Sequence, residues 1–301
     1  MEILITGGTG FIGKSLCLRL ISKGYQLTIL TRRPSFCSQL FKGNVRCVRS
    51  LDDIRASDTF EYVINLAGEP IVDHRWSSDR INQLKESRIG LTKSLLACLD
   101  RLERKPKKLI SGSAVGFYGD KGSTLVDEMT EPHPEFTNEL CNNWEQMALR
   151  AEDFGVSVCL LRTGLVVGPN GGFLKKLLLP FKLGLGGRLG SGDQWMSWVY
   201  LDDIVSIILY LMLHPTLTGV FNATAPNPVT NIQFTKALGL ALKRPTPFPA
   251  PAFVLKMVFG EMSRLLLTGQ RVLPQRLYEA GYKFRYTELE DALHAAINEK
   301  H

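Results

Sequence analysis

The sequence lacks the features that mark several large classes of protein. Its six cysteines include no C-x-x-C pair, and its first residues form no charged region with a signal-peptide cleavage site, so we expect reduced thiols and a cytoplasmic location. The longest lipid-compatible run, residues 204–213, is well short of the ~20 residues that span a bilayer. The five histidines show no H-E-x-x-H or other metal-ligand spacing, which predicts no metal site.

The excess of positive charge has no pattern that indicates a nucleic-acid partner. The 301 residues include 36 Lys and Arg against 29 Asp and Glu, a net charge of +7. No basic stripe alternates with aromatic residues, and the densest cluster, residues 101–108, is typical of a solvated helix end and loop. We therefore expect a small-molecule substrate, no nucleic acid and no membrane as partners, and we leave a homodimer open.

The first half of the chain alternates short apolar runs with amphipathic stretches. Strands are predicted over residues 3–6, 26–31, 62–66, 108–111 and 156–162, and helices after the first strand and over residues 80–99 and 138–154. Strands that are apolar nearly throughout and separated by helices indicate a parallel sheet covered on both faces. The predicted fold class is α/β, a doubly wound parallel Rossmann sheet with a smaller C-terminal substrate-side region.

A glycine-rich turn follows the first predicted strand. Three glycines, each three residues after the last, have the spacing of a turn that lets the backbone approach a pyrophosphate and lets a helix pack on a strand. The helix that follows offers free N–H groups and the positive end of its dipole to the phosphates. The predicted dinucleotide-binding residues of this turn are Gly7, Thr9, Gly10, Phe11, Ile12 and Gly13.

The residues after the second predicted strand favour NADP(H) over NAD(H). A protein of this fold that prefers NAD places an acidic residue about 20 residues past the glycine turn, where it binds the ribose 2′-hydroxyl. Here Thr31, Arg32 and Arg33 occupy that position, with no acidic residue. Because arginine holds a 2′-phosphate by charge-assisted hydrogen bonds, Arg32, with Thr31 beside it, is the predicted 2′-phosphate site, and Arg33 is the solvated neighbour.

The chain divides into two predicted regions. Residues 1–168 form the predicted NADP-binding Rossmann domain, to which residues 199–225 return with a further strand and helix. Residues 169–198, which are rich in glycine, and residues 226–301, which are rich in proline near 245–251, form the predicted substrate-side region and C-terminal cap. Helices are predicted in the cap over Ala252–Phe259 and residues 288–297.

Several motifs occur in the order and spacing of one known family. They are T-G-G-T-G-F-I-G at residues 6–13, N-L-A-G at 65–68, S-G-S-A-V-G-F-Y-G at 111–119, L-R-T-G-L-V-V-G-P at 161–169 and V-Y-L-D-D at 199–203. On these motifs the chain resembles the extended and atypical short-chain dehydrogenase/reductases. It is similar more narrowly to the YfcH-like NAD(P)-dependent epimerase family, close to member 39U, on L-C-N-N-W-E at 140–145, P-F-K-L-G-L-G-G at 180–187 and G-Q-R-V-L-P-Q-R at 269–276. That resemblance implies a C-terminal cap of the type called a domain of unknown function.

The resemblance also implies cofactor contacts beyond the glycine turn. Small residues after the strand at 62–66 let the backbone pass close to the cofactor. Arg88 lies on a helix that runs beside the cofactor in this family, and the alternative is a solvated arginine. Ligands of open α/β sheets bind at the carboxyl ends of the strands, which adds the end of the strand at 156–162. The contacts so implied are Leu66, Ala67, Gly68, Arg88, Arg162 and Thr163.

The catalytic residues depart from the family pattern. The family's usual group is a serine or threonine with Tyr-x-x-x-Lys, in which the tyrosine is the general acid or base and the lysine lowers its pKa. With Glu145 as the anchor, that pattern puts Thr137 at the tyrosine position and Cys141 at the lysine position, so the dyad is missing. Threonine has no phenol and cysteine supplies no fixed positive charge, so the usual mechanism does not carry over.

Three residues are the candidate catalytic groups in its place. Ser113 is the counterpart of the family's active-site hydroxyl. Tyr118 follows the strand that carries Ser113, and it either faces the nicotinamide or packs under the turn at Gly119. Cys141 shares a helix face with Glu145, and because a carboxylate raises a thiol pKa, it is better suited to pack against the cofactor than to act as a thiolate.

The sequence thus predicts an NADP(H)-binding oxidoreductase or epimerase of the short-chain dehydrogenase/reductase type that acts on a small polar substrate. Trp76, Trp195 and Trp198 lie in segments that the resemblance places around the substrate cleft, with core packing as the alternative. Because the acid/base dyad is missing, a non-catalytic NADP(H)-binding sensor or regulatory scaffold is the alternative function.

Overall fold

A computed structural model gives the fold of residues 1–298. Its strands are β1 (Glu2–Thr6), β2 (Gln26–Leu30), β3 (Arg46–Val48), β4 (Tyr62–Asn65), β5 (Lys108–Ala114), β6 (Leu125–Val126), β7 (Ser157–Thr163), β8 (Leu165–Val167), β9 (Trp195–Met196), β10 (Trp198–Tyr200), β11 (Gly219–Ala223), β12 (Val229–Thr230) and β13 (Arg271–Val272). Its helices are α1 (Phe11–Ser22), α2 (Pro34–Leu40), α3 (Ser78–Lys85), α4 (Leu91–Asp100), α5 (Phe136–Leu149), α6 (Gly172–Lys182), α7 (Leu201–Leu213), α8 (Asn231–Leu242), α9 (Ala252–Phe259), α10 (Arg264–Leu267), α11 (Gln275–Glu279) and α12 (Leu289–Asn298). The last three residues of the predicted cap, 299–301, lie outside the described residues.

Seven strands of the described chain form one parallel sheet in the order β3-β2-β1-β4-β5-β7-β11. The predicted doubly wound parallel Rossmann sheet is therefore confirmed. The chain runs outward from β1 to β3 and then crosses to the other side of β1 with β4. Ligands of such sheets bind at this switch point, outside the carboxyl ends of the strands. The glycine turn follows β1 and the N-L-A-G motif begins with the last residue of β4, so both lie at the switch point.

Apolar side chains bury both faces of the sheet. α1 and α7 contribute Leu16 and Ile204 to the core on one face, and α4 and α5 contribute Leu95 and Ala148 to the core on the other. The central strands are apolar nearly throughout because each is covered on both faces. Polar side chains in these strands are therefore informative where they occur, and several of them, including Asn65, Ser113 and Arg162, lie at or near the carboxyl ends.

Several elements differ from the predicted ones. α2 and β3 have seven and three residues, too few for a helical or strand period to be recognised in the sequence. The predicted helix over residues 80–99 is divided into α3 and α4 by a π-helical turn, Glu86–Gly90, which contains Arg88. Such turns redirect side chains and are frequent at functional sites. The glycine-rich stretch after residue 168 contains α6, with Pro180 in its last turn.

Residues 169–198 and 226–298, which we call the outer region, are held together and joined to the rest of the chain by short strand pairs and by one buried carboxylate. β8 pairs with β10, β9 with β12 and β6 with β13. Asp203, in the first turn of α7, accepts hydrogen bonds from the backbone N–H groups of Arg285 (2.8 Å) and Tyr286 (2.9 Å), which fastens the C-terminal segment to α7. Within residues 1–298 no helix is both long and apolar enough to cross a membrane.

Candidate cofactor and substrate site

The turn between β1 and α1 leaves no room for side chains at two of its glycines. Gly7 has a φ of +72°, and a Cβ there would lie 2.6 Å from the carbonyl carbon of Leu66, just after β4. A Cβ on Gly13 would lie 2.1 Å from the carbonyl oxygen of Gly7, so α1 packs directly on the turn. Gly10 is the N-cap of α1, and no side chain caps this helix. The first N–H groups of α1 are therefore left for an anionic ligand.

The other predicted residues of the turn differ in where their side chains lie. Thr9 and Ile12 are half-buried beside the turn. The Phe11 ring packs against glycines that follow β8, since a Cβ on Gly171 would lie 2.2 Å from the ring and one on Gly172 2.7 Å from it. Phe11 thus brings its backbone N–H to the turn, while its side chain connects the turn to the start of α6.

Below the turn, a row of polar side chains crosses three neighbouring strands. Thr6, Asn65 and Ser111 are paired in register on β1, β4 and β5 and are fully buried. Thr6 Oγ1 donates to Asn65 Oδ1 (2.6 Å), and Asn65 Nδ2 donates to Ser111 Oγ (3.2 Å) and to Thr92 Oγ1 (2.9 Å) on α4. The Ala67 N–H donates to Thr6 Oγ1 (3.3 Å), so this row fixes the backbone that follows β4.

Arg88 lies beside the loop after β4. A Cβ on Gly68 would lie 3.2 Å from Arg88 Cζ, and Arg88 Nη2 donates to the carbonyl oxygen of Glu69 (2.9 Å). The guanidinium also lies 5.4 Å from the centroid of a Trp144 ring. Burial lowers the pKa of Arg88. An anion bound in the cleft would offset the cost of that buried charge, which suits Arg88 to a phosphate or ribose contact.

Arg32 stands at the mouth of the same cleft, after β2. Its side chain is 90% exposed, and its Nη1 lies 3.0 Å from Glu69 Oε1, while Arg80 lies 3.7 Å from Glu69 Oε2. An exposed ion pair contributes little in water, so Arg32 can exchange Glu69 for a phosphate at small cost. Thr31 Oγ1 accepts a hydrogen bond from the N–H of Arg33 (3.2 Å) and so shapes the backbone on which Arg32 sits.

A second polar row crosses the carboxyl ends of β5, β7 and β11. Ser113, Arg162 and Asn222 are paired in register there, and Glu145 of α5 lies over them. Arg162 Nε and Nη2 donate to the two oxygens of Glu145 (2.9 and 2.8 Å), and Ser113 Oγ donates to Glu145 Oε1 (2.5 Å). The two charged side chains are only 5% and 4% exposed. Burial by itself lowers the Arg162 pKa, but the hydrogen bonds and charge of Glu145 outweigh it, and the pKa is raised.

This row changes the roles expected for Arg162 and Tyr118. Because Glu145 holds Nε and Nη2 and because Nη1 donates to Tyr118 Oη (3.0 Å), the Arg162 guanidinium points into the interior instead of toward a nicotinamide. Tyr118 is completely buried, donates to Asn222 Oδ1 (2.7 Å), and has a pKa that burial raises to about 12. The structure thus gives both side chains a positioning role in place of the predicted ligand contacts. Thr163, the next residue on β7, is half-buried on the opposite face of the sheet.

Ser113 and Cys141 meet at the end of β5. Burial first, and the charge of Glu145 second, raise the pKa of the Cys141 thiol to about 11, although the charge of Arg88 acts in the opposite direction. The thiol therefore stays protonated at neutral pH, as a small packed residue would. Thr137, one turn earlier on the same helix face, donates to Glu135. The catalytic roles of Ser113 and Cys141 remain predictions.

A cavity of about 330 Å³ opens at the same edge of the sheet. Its wall comes from the loops after β4, β5 and β7 and from the outer region, and it includes Gly116 and Thr137 next to the end of β5. Trp198 is buried in the core instead. The main apolar side chains of the wall are Ile71, Trp76, Phe136, Phe173, Trp195 and Leu265.

Polar groups in the cavity wall are largely occupied by other parts of the chain. Gln194 Nε2 donates to the carbonyl oxygens of Leu189 (3.0 Å) and Leu266 (2.6 Å), and Ser197 Oγ donates to the carbonyl oxygen of Gln270 (2.7 Å). The wall also contains three charged side chains, Glu135, Glu261 and Arg264. Its apolar side chains suit an apolar part of a ligand, and the small polar substrate that the sequence predicts stays a prediction.

The structure thus brings the glycine turn, the loop after β4, Arg32 and Arg88 to one cleft, with Ser113 and Cys141 at its inner end. Sequence reasoning missed the part that Glu145 and Asn222 play. Glu145 lies 17 residues before Arg162, so no local pattern reveals their pairing. Asn222 did leave a signal, since it is a polar residue inside the otherwise apolar strand G-V-F-N-A.

Models of two protein families match this chain. Residues 3–223 match the NAD dependent epimerase/dehydratase family, and residues 250–296 match a domain of unknown function, DUF1731. The first match covers the sheet, the glycine turn and both polar rows. The second covers α9 and the elements that follow it, so the predicted family resemblance is confirmed along nearly the whole chain.

Relatives and solved structures agree with these matches. The epimerase family protein SDR39U1 homolog, chloroplastic, of Arabidopsis thaliana is 37% identical over 99% of this chain and 87% of its own. The epimerase family protein YfhF of Bacillus subtilis is 34% identical, with 100% and 99% of the two chains covered. The crystal structure of human SDR39U1 (isoform 2) with NADPH has a TM-score of 0.89 at 31% identity and covers 99% of this chain and 100% of its own. UDP-glucuronic acid 4-epimerase of Bacillus cereus, with a TM-score of 0.79 at 20% identity and 98% of each chain covered, shares the fold.

Proposed function

This chain belongs to the NAD-dependent epimerase/dehydratase family, and within it we propose that the protein binds NADP(H) and exchanges hydride between that cofactor and a substrate with an apolar body. The proposal rests on the observation that two features lie at the same edge of the sheet. The glycine turn after β1 and the apolar cavity beside the ends of β4, β5 and β7 both open at the carboxyl edge of one sheet. A cofactor on the turn and a substrate in the cavity would meet near Ser113 and Thr137.

NADP(H) fits the residues at the switch point. The uncapped N-terminus of α1 and the close approach at Gly7 suit a pyrophosphate. Arg32 is the proposed contact of the 2′-phosphate, and Arg88 and the backbone of residues 66–68 are the proposed contacts of the ribose and phosphates. Human SDR39U1, whose structure contains NADPH, supports this choice of cofactor. Bound there, the cofactor supplies the hydride donor or acceptor, and the chain supplies binding, orientation and proton handling.

The polar groups available for chemistry come from the sheet, because α5 contains neither tyrosine nor lysine. Ser113 commits its proton to Glu145, which leaves the lone pairs of its Oγ to accept a hydrogen bond from a substrate hydroxyl. Arg162 holds Glu145 in place, so the direction of the Ser113 hydroxyl is fixed before a substrate binds. We therefore assign Ser113 to the substrate oxygen, and Glu145 and Arg162 to the orientation of Ser113.

A second candidate function is a non-catalytic sensor of NADP(H). The observation that favours it is the composition of α5, because a helix without tyrosine or lysine lacks the family's usual acid/base pair. In that case the cofactor cleft would serve to report the NADPH/NADP ratio, and the apolar cavity would hold part of another molecule without chemistry on it.

The deciding experiment measures cofactor binding and turnover on the same protein. We expect NADPH to bind with a fluorescence change, and turnover to appear in a panel of ketones and secondary alcohols with aliphatic or aromatic bodies, followed by NADPH absorbance. Deuterium transfer to NADP from a substrate labelled at its carbinol carbon detects hydride exchange in a redox-neutral isomerase, which consumes no net cofactor. Tight NADPH binding without turnover or exchange across the panel would exclude the enzyme and favour the sensor. Absence of NADPH binding would exclude both proposed functions.

Ser113→Ala provides the matched variant. We expect it to bind NADPH like the parent chain, because the proposed contact of Ser113 is with the substrate and not with the cofactor, and to lose most of the turnover. Ser157→Ala is its control, since the same substitution is made on a neighbouring strand but at the amino end of β7, away from the edge where the ligands bind. Equal turnover in the parent and Ser113→Ala would remove Ser113 from the chemistry.

A further inference from the structure

Two segments of the outer region contain basic residues and no acidic ones. Residues 172–190 and 234–260 together include eight Lys and Arg and no Asp or Glu. Their local charge of +8 exceeds the +7 of the whole chain, which leaves −1 for everything else. Lys176 pairs with Asp73, and within residues 1–298 none of the other seven cations has an acidic partner. The eight are Lys175, Lys176, Lys182, Arg188, Lys236, Lys243, Arg244 and Lys256.

The two segments form one continuous surface, which we call the basic face. The N–H of Ala250 donates to the carbonyl oxygen of Arg188 (2.8 Å), and the N–H of Gly190 donates back to the carbonyl oxygen of Ala250 (2.9 Å). Arg244 Nε donates to the carbonyl oxygen of Lys182 (3.0 Å). These contacts join the end of α6 and the loop after it to the proline-rich loop that leads into α9, so the charges of both segments act together.

The basic face also exposes an unusual share of the chain's large apolar side chains. It holds nine of the sixteen that are exposed in residues 1–298, although it has only 46 residues, so this exposure is concentrated rather than scattered. α9 shows the pattern most clearly, because Phe253, Val254, Met257 and Val258 lie on one side of the helix and face outward, while only Leu255 is buried. The other five are Leu179, Leu183, Leu185, Leu240 and Phe248.

A notch of about 280 Å³ lies within the same face. Arg188 and Lys236 line it together with the hydroxyl-bearing residues Thr235 and Thr246. No carboxylate lines it, and neither cation is in a salt bridge with any described residue. Two cations without an acidic partner and two hydroxyl groups around a small notch can bind a phosphate group by charge-assisted hydrogen bonds.

We propose that the basic face docks on an anionic phospholipid bilayer, with the apolar side chains of α9 and the neighbouring loops in the boundary between headgroups and acyl chains and a lipid phosphate in the notch. Exposed apolar side chains surrounded by lysine and arginine are what interfacial binding requires. A second copy of the chain is disfavoured as the occupant, because it would bring a surface of +8 against one of +8. The expectation of no membrane partner came from the lack of a spanning segment and from positive charges that are scattered along the sequence, whereas the fold brings two basic segments together.

The docking surface borders the apolar cavity. Arg188 lines the notch, and its neighbour Leu189 lines the cavity. The proposal does not rest on the proposed hydride transfer, since it follows from charge and exposure alone. It does place the cavity beside the bilayer when the protein is bound.

Cosedimentation with vesicles tests the proposal on the full chain. We expect binding to vesicles that contain phosphatidylserine or phosphatidylglycerol to exceed binding to pure phosphatidylcholine vesicles by about tenfold or more, and to fall at high salt. Lys243→Glu/Arg244→Glu should abolish the preference, and Phe253→Ser/Met257→Ser should weaken binding at every salt concentration. Lys23→Glu/Arg150→Glu makes the same charge change at exposed sites away from the face and should leave at least most of the binding intact.

Three results would overturn the proposal. Equal binding to neutral and anionic vesicles, or no binding to either, would remove the anionic bilayer as the occupant. A dimer in analytical ultracentrifugation that Phe253→Ser/Met257→Ser dissociates would assign the face to a second copy. Equal losses in Lys23→Glu/Arg150→Glu and Lys243→Glu/Arg244→Glu would show that net charge, not this face, governs binding. Because all the substituted side chains are exposed, unchanged thermal unfolding and NADPH binding serve as the check on folding.

Discussion

Glu145→Gln removes one charge from the most deeply buried ion pair of the site. Glutamine has nearly the same shape, so no cavity forms, and its amide oxygen still accepts a hydrogen bond from Ser113 or Arg162. Its amide nitrogen, however, is placed against a guanidinium that also donates. Arg162 then becomes a buried cation without an anion, at a position where its own side chain is only 5% exposed.

The cost follows from that burial. Removing one partner of a buried ion pair destabilises a protein by about 3–5 kcal/mol, and the acceptor that glutamine retains places this variant near the lower end, about 3 kcal/mol. With about 2.1 cal/mol/K of unfolding entropy per residue, a chain of this length has about 0.6 kcal/mol/K in all, so Tm should fall by about 5 °C. An exposed pair of the same length is worth less than about 1 kcal/mol, or less than about 2 °C.

α5 itself offers that exposed pair as a control. Glu139 lies on the same helix and pairs with Lys85 at 2.8 Å, but these side chains are 57% and 38% exposed. We expect Glu139→Gln to leave Tm nearly unchanged in circular-dichroism melts in which Glu145→Gln falls by about 5 °C. In a double-mutant cycle with Arg162→Met, the coupling should be about 2 kcal/mol or more, since the double variant has no buried charge left unpaired. A Tm loss no larger in Glu145→Gln than in Glu139→Gln would refute the reasoning.

Three further substitutions test the cofactor cleft and the thiol. Arg32→Ala should weaken NADPH about 10- to 30-fold in a fluorescence titration and leave NADH unchanged, because only NADPH has the 2′-phosphate; equal losses for both would remove Arg32 from that role. Gly13→Ala places a Cβ 2.1 Å from the carbonyl oxygen of Gly7 and should abolish NADPH binding, so a variant that binds normally would show that the turn can relax. Cys141 has a pKa raised to about 11, mainly by burial, so at pH 8 iodoacetamide should modify the less buried Cys47 first and leave Cys141 unmodified, as peptide mass mapping can show; early alkylation of Cys141 would mean that the thiol is reachable.

The sheet and the glycine turn could be predicted because their signals are local. Apolar runs of four to seven residues between turn signals or helical patterns indicate buried strands, and the spacing of Gly7, Gly10 and Gly13 is typical of one turn geometry. α2 and β3 were not predicted, because seven and three residues are too few to show the periodic pattern of a helix or a strand. The π-helical turn at Arg88 was not predicted for a different reason. An extra residue inside a helix leaves the amphipathic pattern before and after it nearly intact.

The directions of the site's side chains could not be predicted in the same way. The sequence places Arg162 correctly at the carboxyl end of a strand, but the face to which it points depends on the pleat of β7 and on Glu145, which belongs to the preceding helix. The polarity of the cavity is a similar case. Gln194 and Ser197 look like polar contacts for a ligand until their bonds to the backbone of other loops are known.

The buried pair also bears on how this site can handle a proton. In the usual family arrangement, a lysine on the helix puts an unneutralised positive charge beside the tyrosine and so lowers its pKa. Here the cation, Arg162, lies on the strand beneath and is paired with Glu145, which offsets its charge. Arg88 lowers the pKa of Cys141 and Arg162 lowers the pKa of Tyr118, but burial outweighs both charges and raises these pKa values to about 11 and about 12. Both acids therefore stay protonated at neutral pH. Catalysis at this site would depend on orientation and on the hydrogen bond that Ser113 Oγ accepts from the substrate hydroxyl, and the rate should change little with pH across the neutral range.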